Sequence, residues 1–211
     1  MTGALKMVKL DILTVKSQLS SYLIAVMFGL FGAYMDDPQM YLGINMAWFS
    51  VLMASNIFAV QENNKLERLY GSVSISQKDV VLGRYIFMWI NHIICIFTAI
   101  IAYLVAILFR NEQPKIPDVL LAFGVSLAAF SAVAGVGVPV FFKMGYIKAR
   151  YWFLFIFLIT FVALLILYLR LGLLTMLFAN QAASAAILTI ASSIIQYVSY
   201  RFSIHAYRNR A

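Results

Sequence analysis

Residues able to do bond chemistry are few in this 211-residue chain. It has two histidines, His92 and His205, one cysteine, Cys95, and eight carboxylates. A metal centre needs three or four converging His, Cys or carboxylate ligands. Two distant histidines and a cysteine set in an apolar run do not supply them. One cysteine also leaves no intrachain disulfide. There is no G-x-x-x-x-G-K-[ST] phosphate loop, so the chain is not its own P-loop ATPase. Neither a G-x-S-x-G elbow nor an H-E-x-x-H pair occurs. Clusters of Asp, or of His with Arg, such as headgroup-processing membrane enzymes use, are missing as well. The sequence therefore predicts no catalytic, cofactor-binding or metal site. The polar residues set among apolar ones are Asn45, Asn56, Asn91, His92 and Gln196. They read as helix–helix hydrogen-bonding groups before they read as ligands.

The elements that must hold these residues follow from composition. Hydrophobic residues make up 64% and charged residues 11%, against about half and about a quarter in soluble domains. Mean hydropathy is +0.90. A soluble enzyme, a secreted module and a disordered chain are all disfavoured. The net charge of +8 on so apolar a body reads as a topology signal, and no nucleic-acid partner is expected. A spanning helix needs about 20 apolar residues. Six stretches qualify, at about 19–35, 41–60, 85–109, 118–141, 151–169 and 181–200. The expectation is an all-α integral membrane protein: residues 1–18 an interfacial amphipathic helix, 19–200 a six-helix transmembrane domain, 201–211 a basic cytoplasmic tail. A cleaved signal peptide is not expected, because no small-residue cleavage site follows the first apolar run.

Charge sets the orientation. With both termini and the second and fourth loops on one side, that side holds 13 of the 16 basic residues, and only Arg110, Lys115 and Arg170 face the other. Basic residues stay cytoplasmic, so both termini are expected there. Leu5, Val8, Ile12, Val15 and Leu19 form a stripe at helical spacing, with Lys6, Lys9 and Lys16 in reach of headgroups. No Asp, Glu, Lys or Arg lies in the middle of a predicted span, which weakens an ion-coupled carrier. Gly124, Ala128 and Ala132 make one row of small residues, and Ala182 with Ala186 another. Such rows let helix backbones approach, either inside one bundle or between subunits. Pro139 is expected to kink the fourth span or end it early.

The second loop, residues 61–84, is the most informative. Its first part extends the second span as a charged helix, with Gly71 a natural cap. Ser76 with Asp79 three residues on forms a capping box with a shorter acid. A short helix should start near Ser76 and run toward the third span, and a helix–turn–helix with Val73, Ile75 and Lys78 at its tip should result. The run from Lys65 through Arg68, then Ser74-Ile75-Ser76-Gln77-Lys78-Asp79 and on to Tyr85, resembles a loop of the small six-span ABC-2 type permeases. The pattern there is roughly K-x-E-R-x-x-x-S-L-P-[VI]-S-R-K. The fourth loop, with Pro139, Phe142-Lys143-Met144-Gly145-Tyr146 and Lys148-Ala149-Arg150, resembles a second motif of that family. Departures are Val73 for Leu, Ser74 for Pro, Gln77 for Arg and Ile147 for Glu.

The resemblance implies a permease subunit of a bacterial ABC-2 type exporter, multi-pass in the plasma membrane. It implies a second permease subunit, in a homodimer or heterodimer, and a separate ABC ATPase that holds ATP and Mg. Val73, Ser74, Ile75, Ser76, Gln77, Lys78 and Asp79 would couple to that ATPase. Lys143, Gly145, Lys148 and Arg150 would make a second cytoplasmic contact. The small-residue rows would pack subunits. An apolar, aromatic path suits an amphipathic peptide or a lipid-like molecule. Two other readings stay open: the substrate-capture subunit of a vitamin uptake transporter, and a membrane scaffold without transport.

Overall fold

The computed structural model describes residues 3–35, 39–66, 75–170 and 180–209. Among them the elements are helical: α1 (Gly3–Val15), a 3-10 turn (Lys16–Tyr22), α2 (Leu23–Tyr34), a π turn (Gln39–Asn45), α3 (Met46–Asn63), α4 (Gln77–Phe109), α5 (Ile116–Met144), α6 (Tyr146–Arg170) and α7 (Gln181–Arg208). Four helices are long and apolar enough to cross a membrane: Tyr41–Asn63, Gln77–Phe109, Ile116–Met144 and Gln181–Arg208. The segment Ser20–Tyr34 is a shorter apolar helix. The fifth expected span falls on the 25-residue α6. Outward faces carry large apolar side chains such as Phe97, Ile101, Leu158, Ile190 and Ile194. Surfaces of this kind belong in lipid, and the chain is a multi-pass membrane protein.

α5 packs most extensively against α7, and α4 against α2 and α1. One core cluster joins Met7, Phe58, Val80, Phe130 and Phe142, and the other joins Ala25, Leu42, Cys95, Tyr103 and Ala122. One end of the bundle gathers α1, the end of α3 and the starts of α4 and α6. Phe142 and Tyr207 meet there with ring centroids 5.2 Å apart. At the opposite end Arg110 donates to the Ala33 carbonyl and Gln181 to Asp118.

Three expectations about the loops need correction. α3 ends at Asn63, with Lys65 in the left-handed region at φ 52°, so it closes well before Gly71, which lies outside the described residues. The helix expected from Ser76 starts where its cap predicts but is not a short separate element: α4 runs unbroken for 33 residues into the third span, because no proline separates the cap from the apolar run. The loop expected over 143–150 shrinks to Gly145, at φ 78°. α5 and α6 meet there, since the basic residues either side are good helix formers.

Candidate functional site

Ser76 caps α4. Its Oγ accepts from the Asp79 amide at 3.1 Å and donates to Asp79 Oδ2 at 2.8 Å. The aspartate closes the capping box onto the hydroxyl, where a longer Glu would reach back to the cap's backbone amide. Gln77 and Lys78 are exposed, and Ile75 is half-buried against the first core cluster. Val73 and Ser74 lie outside the described residues.

Directly behind this cap sits a cluster that hydropathy does not reveal. Arg84 is buried, 1% exposed, and its Nη1 donates to Asp11 Oδ1 at 2.6 Å. Its Nη2 donates to Gln61 Oε1, and its guanidinium lies 5.3 Å from the Phe58 ring centroid. Three helices, α1, α3 and α4, are thereby tied together. Close backbone approach makes the tie possible. A Cβ at Gly83 would sit 2.5 Å from Met7 Cβ, and one at Gly3 would sit 2.6 Å from Asp79 Oδ2. The Asp79 carboxylate therefore abuts the N-terminus of α1, where the helix dipole favours it. Burial pushes the Asp11 carboxyl up to about 6, against the opposing pull of Arg84. Its second oxygen, Oδ2, is buried with no hydrogen-bond partner, which agrees with that direction. The sequence signal was slight: Asp11 is a lone acid on a lysine-rich helix, and Arg84 counts as one more loop charge.

The α1 face in contact is Ala4, Met7, Val8 and Asp11, all buried, while Leu5 and Ile12 of the predicted stripe are exposed. α1 thus has a protein face and an apolar outer face. A second tie links the two family-like loops. Glu62 Oε2, at the end of α3, accepts from the Tyr146 and Ile147 amides. It caps the first turn of α6 from another helix. Of the residues predicted for a second contact, Gly145 is buried and Lys143, Lys148 and Arg150 are exposed.

Embedded polar residues do bridge helices. Ser50 Oγ donates to the Ala47 carbonyl and so accepts from His92 Nδ1, at 2.7 Å. His92 Nε2 then faces Ser126 Oγ at 3.4 Å, and the ring stacks on Phe130. Asn91 donates to the Ser50 carbonyl and accepts from the Tyr22 hydroxyl. Pro139 does not end α5, which continues to Met144. Proline lacks the amide that would bond Gly135, and Ser199 Oγ on α7 donates to that freed carbonyl at 2.7 Å. The Tyr85 hydroxyl bonds Ser199 and Ser203. Gly124 packs inside the bundle, its notional Cβ 2.8 Å from Ala185 Cα. Ala128 and Ala132 are half-buried on the same helix, and Ala182 and Ala186 are exposed.

The geometry is that of an apolar helical bundle with a capped helix at one end and polar ties between its helices. The family model described as "ABC-2 family transporter protein" matches residues 6–208, nearly the whole chain, so the chain belongs to the ABC-2 transporter family. It is a permease subunit of that type. No curated protein and no solved structure matches it.

Proposed function

We propose that this chain forms one half of an exporter's translocation path, with α1, the start of α4, the start of α6 and both termini in the cytoplasm of a bacterium. Residues 73–79 dock on a separate ABC ATPase, which binds and hydrolyses Mg-bound ATP. A second permease chain, like or unlike, completes the path. Lys143, Gly145, Lys148 and Arg150 form a second contact near the ATPase. Ala182 and Ala186, exposed and small, are offered as a subunit-packing surface. The cargo is an amphipathic peptide or lipid-like molecule. An aromatic groove of about 470 Å³ between α4 and α7, walled by Tyr85, Trp89, Tyr197 and Tyr200, supports that class.

One observation carries the coupling role: the Ser76 cap begins a helix that runs without a joint into the bundle core. Movement imposed on its first turn is delivered to the spans directly. Ile75→Asp places a charge at the proposed contact, at about 3 kcal/mol or more if it is buried unpaired. ATPase copurification and substrate-stimulated ATP hydrolysis should fall while membrane insertion stays normal. Undiminished copurification and stimulation would refute docking at this segment.

A further inference from the structure

Beside the Asp11–Arg84 tie, α1 and the 3-10 turn stand off from α4 and leave a groove of about 530 Å³. Ile12 and Tyr22 form one wall, and Phe87, Ile90 and Ile94 the other. The uncharged polar groups within it are already used. Tyr22 donates to Asn91, Asn91 donates to the Ser50 carbonyl, and Thr98 donates to the Ile94 carbonyl. A lining with its hydrogen bonds spent suits hydrocarbon, and it would leave a peptide or sugar unsatisfied.

Size narrows the occupant further. From Phe87 to Thr98 the groove follows α4 for about 16 Å at 1.5 Å per residue. One leaflet's hydrocarbon is about 15 Å thick. The volume over that length gives a cross-section of about 33 Å², less than half the roughly 79 Å² of a helix 10 Å across. A whole helix would not sit within it, whereas an extended alkyl chain does. Ile90 and Ile94 are partly exposed, and the same side of α4 continues through exposed Phe97 and Ile101. The groove therefore opens sideways, toward the bilayer. Lys16 stands at its α1 end, exposed and without an ion pair among the described residues.

We infer that this groove holds one acyl chain of an anionic phospholipid, whose phosphate pairs with Lys16. The inference rests on the reading that α4 spans the bilayer with α1 at its surface. Its role is a wedge: the chain fills the gap between α1 and α4 that the Asp11–Arg84 tie leaves open.

The full-length protein, reconstituted in phosphatidylcholine vesicles, is probed with spin-labelled phosphatidylglycerol and spin-labelled phosphatidylcholine. The immobilised lipid fraction should favour the glycerol headgroup. One lysine's attraction corresponds to about fivefold in affinity, so Lys16→Gln should cut the preference about fivefold. Lys9→Gln removes an exposed α1 charge outside the groove and should leave the preference nearly unchanged. Ile90→Trp should displace the bound chain, and Thr98→Leu is a second filling variant should the first not fold. Equal loss from Lys9→Gln would assign the preference to general surface charge and overturn the site. Unaltered immobilisation in a folded filling variant would overturn it too. The readout is lipid, not ATP or transport, so failure of the docking reading leaves its outcome separate.

Discussion

Arg84→Met should release α1 from α4, and the magnitude follows from the burial of Asp11. Without the guanidinium, a carboxylate left charged and unpaired costs about 3–5 kcal/mol. Proton uptake caps that loss. Asp11 sits near 6 when α1 is docked, one unit below neutrality, so protonating it at pH 7 costs about 1.4 kcal/mol beyond the native state. Losing the hydrogen bond from Arg84 to Gln61 adds about 1 kcal/mol. The total is about 2.4 kcal/mol, or roughly sixtyfold in the undocking equilibrium. Ala4 is 4% exposed on the packed face and Leu5 is 47% exposed beside it, which supplies a probe and its control. With Cys95 replaced by serine, Ala4→Cys should react with a water-soluble thiol reagent about sixtyfold faster in the Arg84→Met background. Leu5→Cys should react at one rate in both. Adding Asp11→Leu to Arg84→Met replaces the buried pair by apolar groups and should restore slow labelling. Native-rate labelling in Arg84→Met, or no restoration in the double variant, would refute a tie based on buried charge.

The same probe reports pH. Asp11 is raised from 3.8 to about 6 by burial, so its contribution to docking is full below 3.8 and is lost as pH rises through 6. Labelling of Ala4→Cys, normalised to Leu5→Cys, should therefore slow about tenfold from pH 7 to pH 5. Asp11→Asn should flatten the profile, and a persisting slope would assign it to another group. Glu62→Ala strips the cap from α6 at about 1 kcal/mol, so amide exchange at Tyr146 and Ile147 should rise about fivefold; unchanged exchange would show that the carboxylate is not the cap. Ser199→Ala orphans the Gly135 carbonyl at about 1–3 kcal/mol. Pro139→Ala restores an amide for that carbonyl, so the double variant should unfold at a higher denaturant concentration than Ser199→Ala alone, and no recovery would refute the pairing.

The predicted spans at 85–109 and 118–141 lie within α4 and α5, because long apolar runs are the most legible feature of a chain. A local signal with short reach also came through. Ser76 caps α4 across three residues. Contacts between distant residues did not. Arg84 bonds Asp11 across 73 positions and Gln61 across 23, and nothing local to Arg84 distinguishes it from the exposed basic residues of its loop. Pro139 was read by its usual effect on a helix, yet its consequence was decided by Ser199, 60 residues on. Rows of small residues told of close packing but not of the partner: Gly124 meets Ala185 within the bundle, and Ala182 and Ala186 point away.

The ties along α4 recur at a spacing that constrains how it can move. Arg84 and Asn91 are seven residues apart, as are Tyr85 and His92, so each pair lies on nearly one face two turns apart. Arg84 holds α1 and α3, and Asn91 holds the 3-10 turn and α3. Tyr85 holds α7, and His92 holds α3 and faces α5. A slide of α4 along its axis would break polar contacts on both faces at once, each in surroundings where an unmet group is costly. Rotation about the axis would break the same set. The lowest-cost displacement carries the tied elements α1, α3 and α7 along with α4. On the proposed reading, an ATPase pushing residues 75–79 thus moves α4 together with α3 and α7, and the Asp11–Arg84 tie decides whether α1 moves with them.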